Sequence, residues 1–275
     1  MRDFDFIFSL GNACACSQAL RRLGMQFATY PFDWVVGSTL TRRADLLVNG
    51  FKGWIDEDSL ELTDVMTGAL NRRIYRNRQT GITFVHDFPI CGSLRENLPE
   101  VSVRYARRID RLNAILSKPG RVLAVYMELP FRSPESDDEL VRVQRTIQMR
   151  FPAVEFHLLY FGQDDTAVES CERTISRNVI RVSLDCHSCG GYGHEHEIDL
   201  KPVMEYLGSH VHTDDGRTAE EKLAYAAAKA SQNRKKWGHG LHAFINKRMY
   251  RIYRNLERIL IRRGVLPPTQ RPLDL

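Results

Sequence analysis

The sequence predicts an α/β protein in which helices flank a mostly parallel sheet, a Rossmann-like three-layer sandwich with a helical C-terminal extension. Apolar strand segments alternate along the chain with amphipathic segments of about 10–15 residues, which favours a parallel sheet. The chain has 275 residues, of which 43% are hydrophobic and 27% charged. This composition excludes a disordered or collagen-like chain, and the length allows a large buried core.

The elements follow one another in this alternating order. Phenylalanines at positions 4, 6 and 8 have the two-residue period of a strand, and a Gly-Asn turn ends it. The next residues have helical apolar spacing and end at Gly24, while Ser136 and Glu139 form a capping-box pattern. The predicted strands lie at 4–9, 81–85, 122–127, 156–161 and 179–184, and the predicted helices at 13–23, 101–116, 136–151, 218–230 and 241–263.

Charge divides the chain into two predicted parts, an α/β domain at 1–208 and a helical extension at 209–275. The formal net charge is +5, yet ten Lys and Arg residues and a single acid, Glu257, lie between Arg234 and Arg263. The basic helix at 241–263 also has a continuous apolar stripe. Such helices bind anionic membrane surfaces. Docking on the protein's own body or on a dimer partner is the alternative, and nucleic acid is the least favoured partner.

The cysteine content and the N-terminus predict a cytoplasmic protein, with peripheral association at the inner membrane face if the basic helix binds lipid. Six cysteines are too few for a secreted disulfide framework in a chain of this length. Asp3 and Asp5 lie where a signal peptide would carry positive charge. No apolar stretch approaches the ~20 residues that cross a bilayer.

Cys14 is the strongest candidate for a catalytic residue. The strand–turn–helix pattern places it in the first turn of the first helix, where free backbone N–H groups and the helix dipole favour a thiolate. The same amides can bind a developing oxyanion, so Gly11 and Asn12 are candidate substrate-binding residues. The alternative is a small buried cysteine that fills a tight turn. Cys16 points about 200° away and is expected in the core.

A histidine that follows a strand is the candidate base. His86 comes directly after the predicted strand at 81–85, and residues after the carboxyl ends of parallel strands meet at one sheet edge. We therefore expect His86 to approach Cys14, with Asp33 or Asp87 orienting the imidazole. Trp34 lies in an aromatic turn that is expected to line a pocket. A structural histidine and a turn aspartate are the alternatives.

Several segments resemble a bacterial family catalogued as papain-like cysteine peptidases: SLGNAC, LRRLG, YPFDWVVGS, HDF and RYARRIDRL. The resemblance covers roughly residues 3–129 and implies thiol-dependent acyl chemistry and a bacterial source. Members often accompany cell-surface polysaccharide genes. The SLGNAC turn also loosely resembles a capsule-biosynthesis family thought to use coenzyme A. The family's motif positions correspond to Cys14, Asp33, Trp34, His86, Asp87, Arg107 and Arg108.

The predicted helix at 101–116 carries four arginines with i, i+3, i+4 and i+7 spacing, which places them on one face: Arg104, Arg107, Arg108 and Arg111. The pair that the resemblance includes, Arg107 and Arg108, is a candidate clamp for phosphates of coenzyme A or a nucleotide sugar. A solvated face paired with acids is the alternative.

A second motif has part of the spacing of a zinc knuckle. Its ligands would be Cys186, Cys189, His194 and Asp199. The last of these is a carboxylate where a knuckle has another donor type, so a zinc site is not favoured over a Gly-rich loop.

Three functions remain open at this point. The leading one is acyl transfer or hydrolysis by Cys14 on a small-molecule or glycan substrate such as a cell-surface polysaccharide precursor. The second is a glycosyltransferase-like protein that binds a nucleotide sugar, in which Cys14 is structural. The third is a non-catalytic binding module attached through its basic helix.

Overall fold

The computed structural model describes residues 1–11, 13–67, 71–128, 134–164, 171–185 and 200–214, together with a few positions between 218 and 224. The chain divides into two compact units, Met1–Asp215 and Gly216–Leu275. The first unit extends beyond the predicted boundary at residue 208 because its last strand pairs with its first. Residues 209–213 of the predicted extension belong to the last described helix and strand of this unit, whereas the predicted helix at 241–263 falls outside the described residues.

The described part of the chain is a mixed α/β protein with parallel and antiparallel sheets. Its five helices are α1 (Cys14–Arg22), α2 (Leu40–Val48), α3 (Leu94–Leu116), α4 (Asp137–Arg150) and α5 (Lys201–His210). Its strands are β1 (Arg2–Phe4), β2 (Phe6–Ser9), β3 (Val35–Val36), β4 (Leu60–Met66), β5 (Arg72–Asn77), β6 (Thr83–Pro89), β7 (Gly120–Met127), β8 (Val154–Asp164), β9 (Cys171–Ser176), β10 (Val179–Asp185) and β11 (Val211–Thr213).

The strands form three sheets. A five-stranded sheet has the order β2-β7-β8-β10-β9, in which β2, β7, β8 and β10 are parallel and β9 is antiparallel at one edge. A four-stranded antiparallel sheet has the order β3-β6-β5-β4. A small parallel pair joins β1 to β11. The prediction of a mostly parallel sheet is confirmed for the five-stranded sheet, whereas the four-stranded sheet is antiparallel.

The strand β7 is buried on both faces over most of its length, which explains why it is an apolar run without alternation. In β7, Leu123 and Val125 enter a core cluster that includes residues of α1 and α5. Their neighbours Val122 and Ala124 enter a second cluster, which includes residues of α2, α3, α4 and the antiparallel sheet. The Rossmann-like three-layer description stays a prediction, because the second sheet adds to the face that the prediction assigned to helices.

The antiparallel sheet was not predicted, apart from one strand at 81–85. That strand is β6, and it continues to Pro89. Helix α3 begins at Leu94, earlier than predicted, because Ser93 and Glu96 form a complete capping box, and Pro99 lies inside the helix. Ser136 caps α4 as predicted, since its side chain accepts from the Glu139 N–H. Among the described helices, none is long and apolar enough to cross a membrane.

Candidate active site

The turn between β2 and α1 brings Cys14 to the N-terminus of a helix, as predicted. Helix α1 begins at Cys14, and the preceding Ala13 provides no side-chain cap. Gly11 is required in this turn, because a Cβ atom there would lie 2.4 Å from the Cβ of Cys16. Cys16 is buried and donates to the Val125 carbonyl at 3.3 Å, which confirms its place in the core. Asn12 lies outside the described residues.

The Cys14 thiol is half-buried, and burial has a larger effect on its ionisation than the predicted stabilisation of a thiolate. Desolvation raises the pKa of Cys14, and hydrogen bonds with its own backbone and with Gln18 oppose that rise. Burial is stronger for Cys16, whose pKa it raises to about 12. The expectation of a depressed Cys14 pKa is therefore wrong, and the resting thiol at neutral pH is protonated.

His86 lies in the antiparallel sheet and not at the carboxyl edge of the parallel one. It is inside β6, where Phe84 pairs with Tyr75 and Phe88 with Arg73. Three residues of β6 therefore lie opposite one residue of β5, and His86 is the middle one of the three. Bulges of this kind break the alternation of side chains and re-aim one of them, and they are common next to active sites.

Trp34, which is predicted to line a pocket, is the aromatic neighbour of His86. The two rings meet edge to face with centroids 6.2 Å apart. The guanidinium carbon of Arg21, from α1, lies 5.5 Å from the centroid of the Trp34 ring. Burial lowers the pKa of His86, Asp87 partly offsets this and Arg72 adds to it. The half-buried imidazole is therefore neutral at pH 7, the form that accepts a proton.

Asp33 is fully buried and is committed to the aromatic turn. Its Oδ2 atom accepts from Arg21 Nη2 at 3.0 Å, from Gln26 Nε2 at 2.6 Å and from the Tyr30 N–H at 2.9 Å. Burial raises the pKa of Asp33, and these three donors counteract that rise. The carboxylate makes no hydrogen bond with His86 in the described structure, so its observed contacts hold the turn that carries Trp34.

Asp87 faces helix α3. Its Oδ2 accepts from the Tyr105 hydroxyl at 2.7 Å, and its Oδ1 lies 3.5 Å from Arg104 and 3.8 Å from Arg108. Burial raises the pKa of Asp87, and the hydroxyl and the two guanidinium groups oppose that rise. These contacts fasten α3 to the bulged strand. Asp87 thus has an observed structural role, and no hydrogen bond joins its side chain to that of His86 among the described residues.

One serine connects the Cys14 turn to the segment that contacts His86. Ser17 Oγ lies 3.4 Å from the Cys14 carbonyl oxygen and 3.1 Å from the Asp33 carbonyl oxygen. Asp33 directly precedes Trp34, so the first turn of α1 is next to the Trp34–His86 pair. In the described residues no hydrogen bond joins the Cys14 thiol to the His86 ring. Ser17 and Asp33 therefore link the Cys14 turn to the segment that contacts His86, and the meeting of nucleophile and base stays a prediction.

The two arginines of the predicted phosphate clamp have different surroundings. Arg107 is exposed. The Arg108 side chain is 12% exposed, pairs with Asp87 and lies over the Tyr105 ring with its guanidinium carbon 4.6 Å from the centroid. Arg108 is thus part of the contact between α3 and β6. The clamp stays a prediction, and only Arg107 of the pair is free of a recorded ion pair in the described structure.

The candidate zinc ligands Cys186, Cys189, His194 and Asp199 lie outside the described residues. Within the part of the chain that the structure describes, no group of three or more His, Cys, Asp or Glu side chains is arranged to hold a metal ion.

Sequence reasoning missed the residues that hold the site together. Tyr105 and Arg104 lie within the RYARRIDRL segment, and a buried tyrosine flanked by arginines was a signal for a buried acidic partner. Arg43 gave no comparable signal, because an arginine in a short helix is ordinarily exposed. It is nevertheless fully buried.

Together, this fold and this site define a mixed α/β protein with a cysteine at a helix N-terminus and a histidine in a bulged antiparallel strand. A family model described as "Putative papain-like cysteine peptidase (DUF1796)" matches residues 5–164, more than half of the chain. The chain belongs to this family. The family's description indicates a cysteine-nucleophile enzyme, with hydrolysis as the activity that the name suggests.

The chain is also similar to "Uncharacterized protein R408" of Acanthamoeba polyphaga mimivirus. The two are 25% identical over 212 residues, which cover 70% of this chain and 94% of the viral protein. No solved structure matches the chain. The expectation of a bacterial source has no support in this comparison, because the relative is viral.

Proposed function

We propose that the protein is a cysteine-dependent acyl hydrolase or acyltransferase in which Cys14 is the nucleophile and His86 is the general base. The observation that carries the proposal is the position of Cys14, in the first turn of α1 directly after β2. A thiol at this position has unpaired backbone N–H groups beside it. The bulge around His86, and the contact of His86 with Trp34 in the segment that Ser17 joins to that turn, support the choice of base.

The proposed reaction has two steps. In the first, the Cys14 sulfur forms a bond to the acyl carbon while its proton moves to the His86 imidazole, and the carbonyl oxygen becomes an oxyanion. The imidazolium then returns the proton to the leaving amine, alcohol or thiol as the bond to the acyl carbon breaks, which leaves a thioester on Cys14. In the second step water or another acceptor attacks the thioester while His86 takes its proton, and the imidazolium returns that proton to the Cys14 sulfur as the carbon–sulfur bond breaks. The amides of the first helical turn would stabilise both oxyanions.

The electrostatics keep the resting thiol and imidazole uncharged. Burial raises the pKa of Cys14 and lowers the pKa of His86, so thiol and imidazole are both uncharged at neutral pH. The sulfur is then activated when substrate binds and its proton moves to the imidazole, as a hydroxyl nucleophile is activated by a base. This differs from a preformed thiolate–imidazolium pair, and the difference is measurable in the pH dependence of thiol reactivity.

The proposal also concerns the chemical class of the acyl donor and of the acyl acceptor. Coenzyme A and a cell-surface polysaccharide precursor stay predictions that rest on resemblance alone. The exposed Arg107 is the described candidate for contact with a phosphate group of such a substrate.

Trapping the thioester tests the proposed function. The protein would be incubated with p-nitrophenyl acetate, quenched in acid and analysed by intact mass and peptide mapping. In the wild type we expect one acetyl group on Cys14, and in C14A no acetyl group at position 14. The extent of acetylation of C14A/C91A should be indistinguishable from that of C14A. Cys91 is the matched control, because it is an exposed free thiol outside the site.

The base is tested in the same assay. We expect H86A to slow acetylation of Cys14 by about 100-fold or more, the lower end of general-base contributions. Equal acetylation of Cys14 and Cys91 in the wild-type protein would contradict a specialised nucleophile. An unchanged rate in H86A would remove His86 from the mechanism.

A further inference from the structure

Arg43 is a buried cation between the two parts of the proposed site. It is the fourth residue of α2 and is fully buried, the largest side chain of the described residues to be so. Burying a charge is costly unless hydrogen bonds compensate it, so a buried guanidinium is retained only where its bonds are well satisfied. The Phe32 ring lies beside it, with the guanidinium carbon 5.4 Å from the ring centroid.

The guanidinium donates to backbone carbonyls of two separate chain segments. Nη1 donates to the Leu10 carbonyl at 3.1 Å. Nε and Nη2 donate to the Gly37 carbonyl at 3.2 Å and 2.7 Å, and Nη2 also lies 3.5 Å from the Val35 carbonyl. One planar group therefore joins the end of β2 to the segment formed by β3 and the residue after it.

The first of these segments leads to the nucleophile. Leu10 is the residue after β2, and its own N–H donates to the Val125 carbonyl at 2.8 Å. Its amide and its carbonyl are thus both held, the first by the parallel sheet and the second by Arg43. The required Gly11 follows directly, and Cys14 begins the helix three residues later.

The second segment leads to the base. Val35 pairs with Phe84 in β6, two residues before His86, and it directly follows Trp34. Gly37 has a positive φ of 82°, and a Cβ atom there would lie 2.8 Å from the Gly81 carbonyl oxygen. The Gly37 carbonyl that receives two of the Arg43 bonds is therefore fixed by a conformation that favours glycine.

We propose that Arg43 is a positioning residue that sets the separation between the Cys14 turn and the sheet that carries His86. The inference rests on the proposed function, because it concerns how the nucleophile and base of that function are held together. Lysine cannot replace it fully, since a single ammonium does not reproduce the planar fork that serves carbonyls on both sides. Arg43 touches neither the thiol nor the imidazole in the described contacts, so it acts through the backbone.

A double-mutant cycle on Cys14 reactivity tests this role. The rate of Cys14 alkylation by iodoacetamide would be measured at neutral pH by peptide mapping in the wild type, H86A, R43K and R43K/H86A. We expect H86A to lower the rate about 10-fold in the wild type, while it changes the rate less than twofold in the R43K background. R43K alone is expected to resemble H86A, because the imidazole no longer assists the thiol.

A core variant separates positioning from stability. Leu47 is fully buried in the same helix α2 and contributes to the core cluster. L47A is expected to lower the melting temperature while the 10-fold effect of H86A persists in L47A/H86A. Should R43K fail to fold by circular dichroism, R43Q replaces it, because glutamine keeps a planar donor without the charge.

The outcomes distinguish the two proposals. A 10-fold effect of H86A that persists unchanged in the R43K background overturns the role of Arg43 and leaves the proposed function intact. No effect of H86A in the wild type overturns the proposed function and this inference with it. Loss of the H86A effect in L47A as well as in R43K would show that the coupling follows stability, and it would also overturn the positioning role.

Discussion

Replacing Tyr105 with phenylalanine removes one hydroxyl from the contact between α3 and the bulged strand β6. That hydroxyl donates to the Asp87 carboxylate at 2.7 Å, and both side chains are buried. The ring itself stays in place, because its edge-to-face contacts with Trp54 and Phe84, both with centroids 5.6 Å away, do not involve the hydroxyl. The substitution therefore isolates one hydrogen bond to a buried carboxylate.

The expected cost follows from the charge and burial of the acceptor. Hydrogen bonds to charged groups contribute about 1.5–3 kcal/mol, and the full desolvation penalty applies when a buried partner is left unsatisfied. Two arginines remain near the Asp87 Oδ1, at 3.5 Å and 3.8 Å, so the carboxylate keeps part of its compensation. We expect Y105F to lower the free energy of unfolding by about 2 kcal/mol, which corresponds to a fall in melting temperature of roughly 4–8 °C.

Urea unfolding followed by circular dichroism measures this change, and Y206F is the matched control. The Tyr206 hydroxyl also donates to a carboxylate, that of Glu172 at 2.6 Å, but that pair is exposed. We expect Y206F to cost less than about 1 kcal/mol. Because the role assigned to Asp87 is structural, the rate of Cys14 acetylation should change less than twofold in Y105F. A cost below about 0.5 kcal/mol, or a large loss of Cys14 reactivity in a folded Y105F, would refute this account of Asp87.

Two further predictions concern the Cys14 turn. G11A should destabilise the protein by about 2 kcal/mol or more because its Cβ would overlap Cys16, whereas G208A, with an ordinary 3.8 Å contact, should be neutral or slightly stabilising in thermal unfolding. In H86A, which lacks the imidazole, alkylation of Cys14 should also reach its maximum at a higher pH than that of a small free thiol such as N-acetylcysteine, since burial raises the pKa of Cys14 and the thiolate is then the reactive form. A Cys14 profile in H86A that saturates below pH 7 would contradict the second prediction.

The strand–turn–helix that carries Cys14 could be predicted because its signals are local. Phenylalanine alternation, a glycine turn and apolar helical spacing lie within the first 24 residues. The parallel strands could also be predicted from the sequence, because burial on both faces makes them apolar runs. The caps at Ser93 and Ser136 also act within three residues, although only the second was used in the prediction.

The antiparallel sheet could not be predicted in the same way. Most of β4 is exposed, and β5 carries three arginines in six residues, so neither has a clear apolar period. The bulge around His86 depends on how β5 and β6 pair, which their separate sequences do not determine. For this reason His86 was assigned to the wrong sheet.

The roles of the carboxylates depended on distant partners. Asp33 is bound by Arg21 from α1 and Asp87 by Tyr105 from α3, and neither pairing follows from the spacing of the acids themselves. Both aspartates lie in the segments that the resemblance identified. What the sequence could not indicate is that their observed contacts hold the scaffold around the site.

The dependence of Cys14 acylation on pH, with and without the imidazole, tests the central claim most directly. The acylation rate with p-nitrophenyl acetate would be followed by rapid quench from about pH 5 to about pH 9. In the wild type we expect the rate to fall on the acid side with a midpoint below the ordinary histidine pKa of about 6.5, because burial lowers the pKa of His86 and protonation removes the base. H86A should lack that acid limb and rise only with thiol ionisation. Identical profiles for the two proteins would contradict general-base activation of Cys14 by His86.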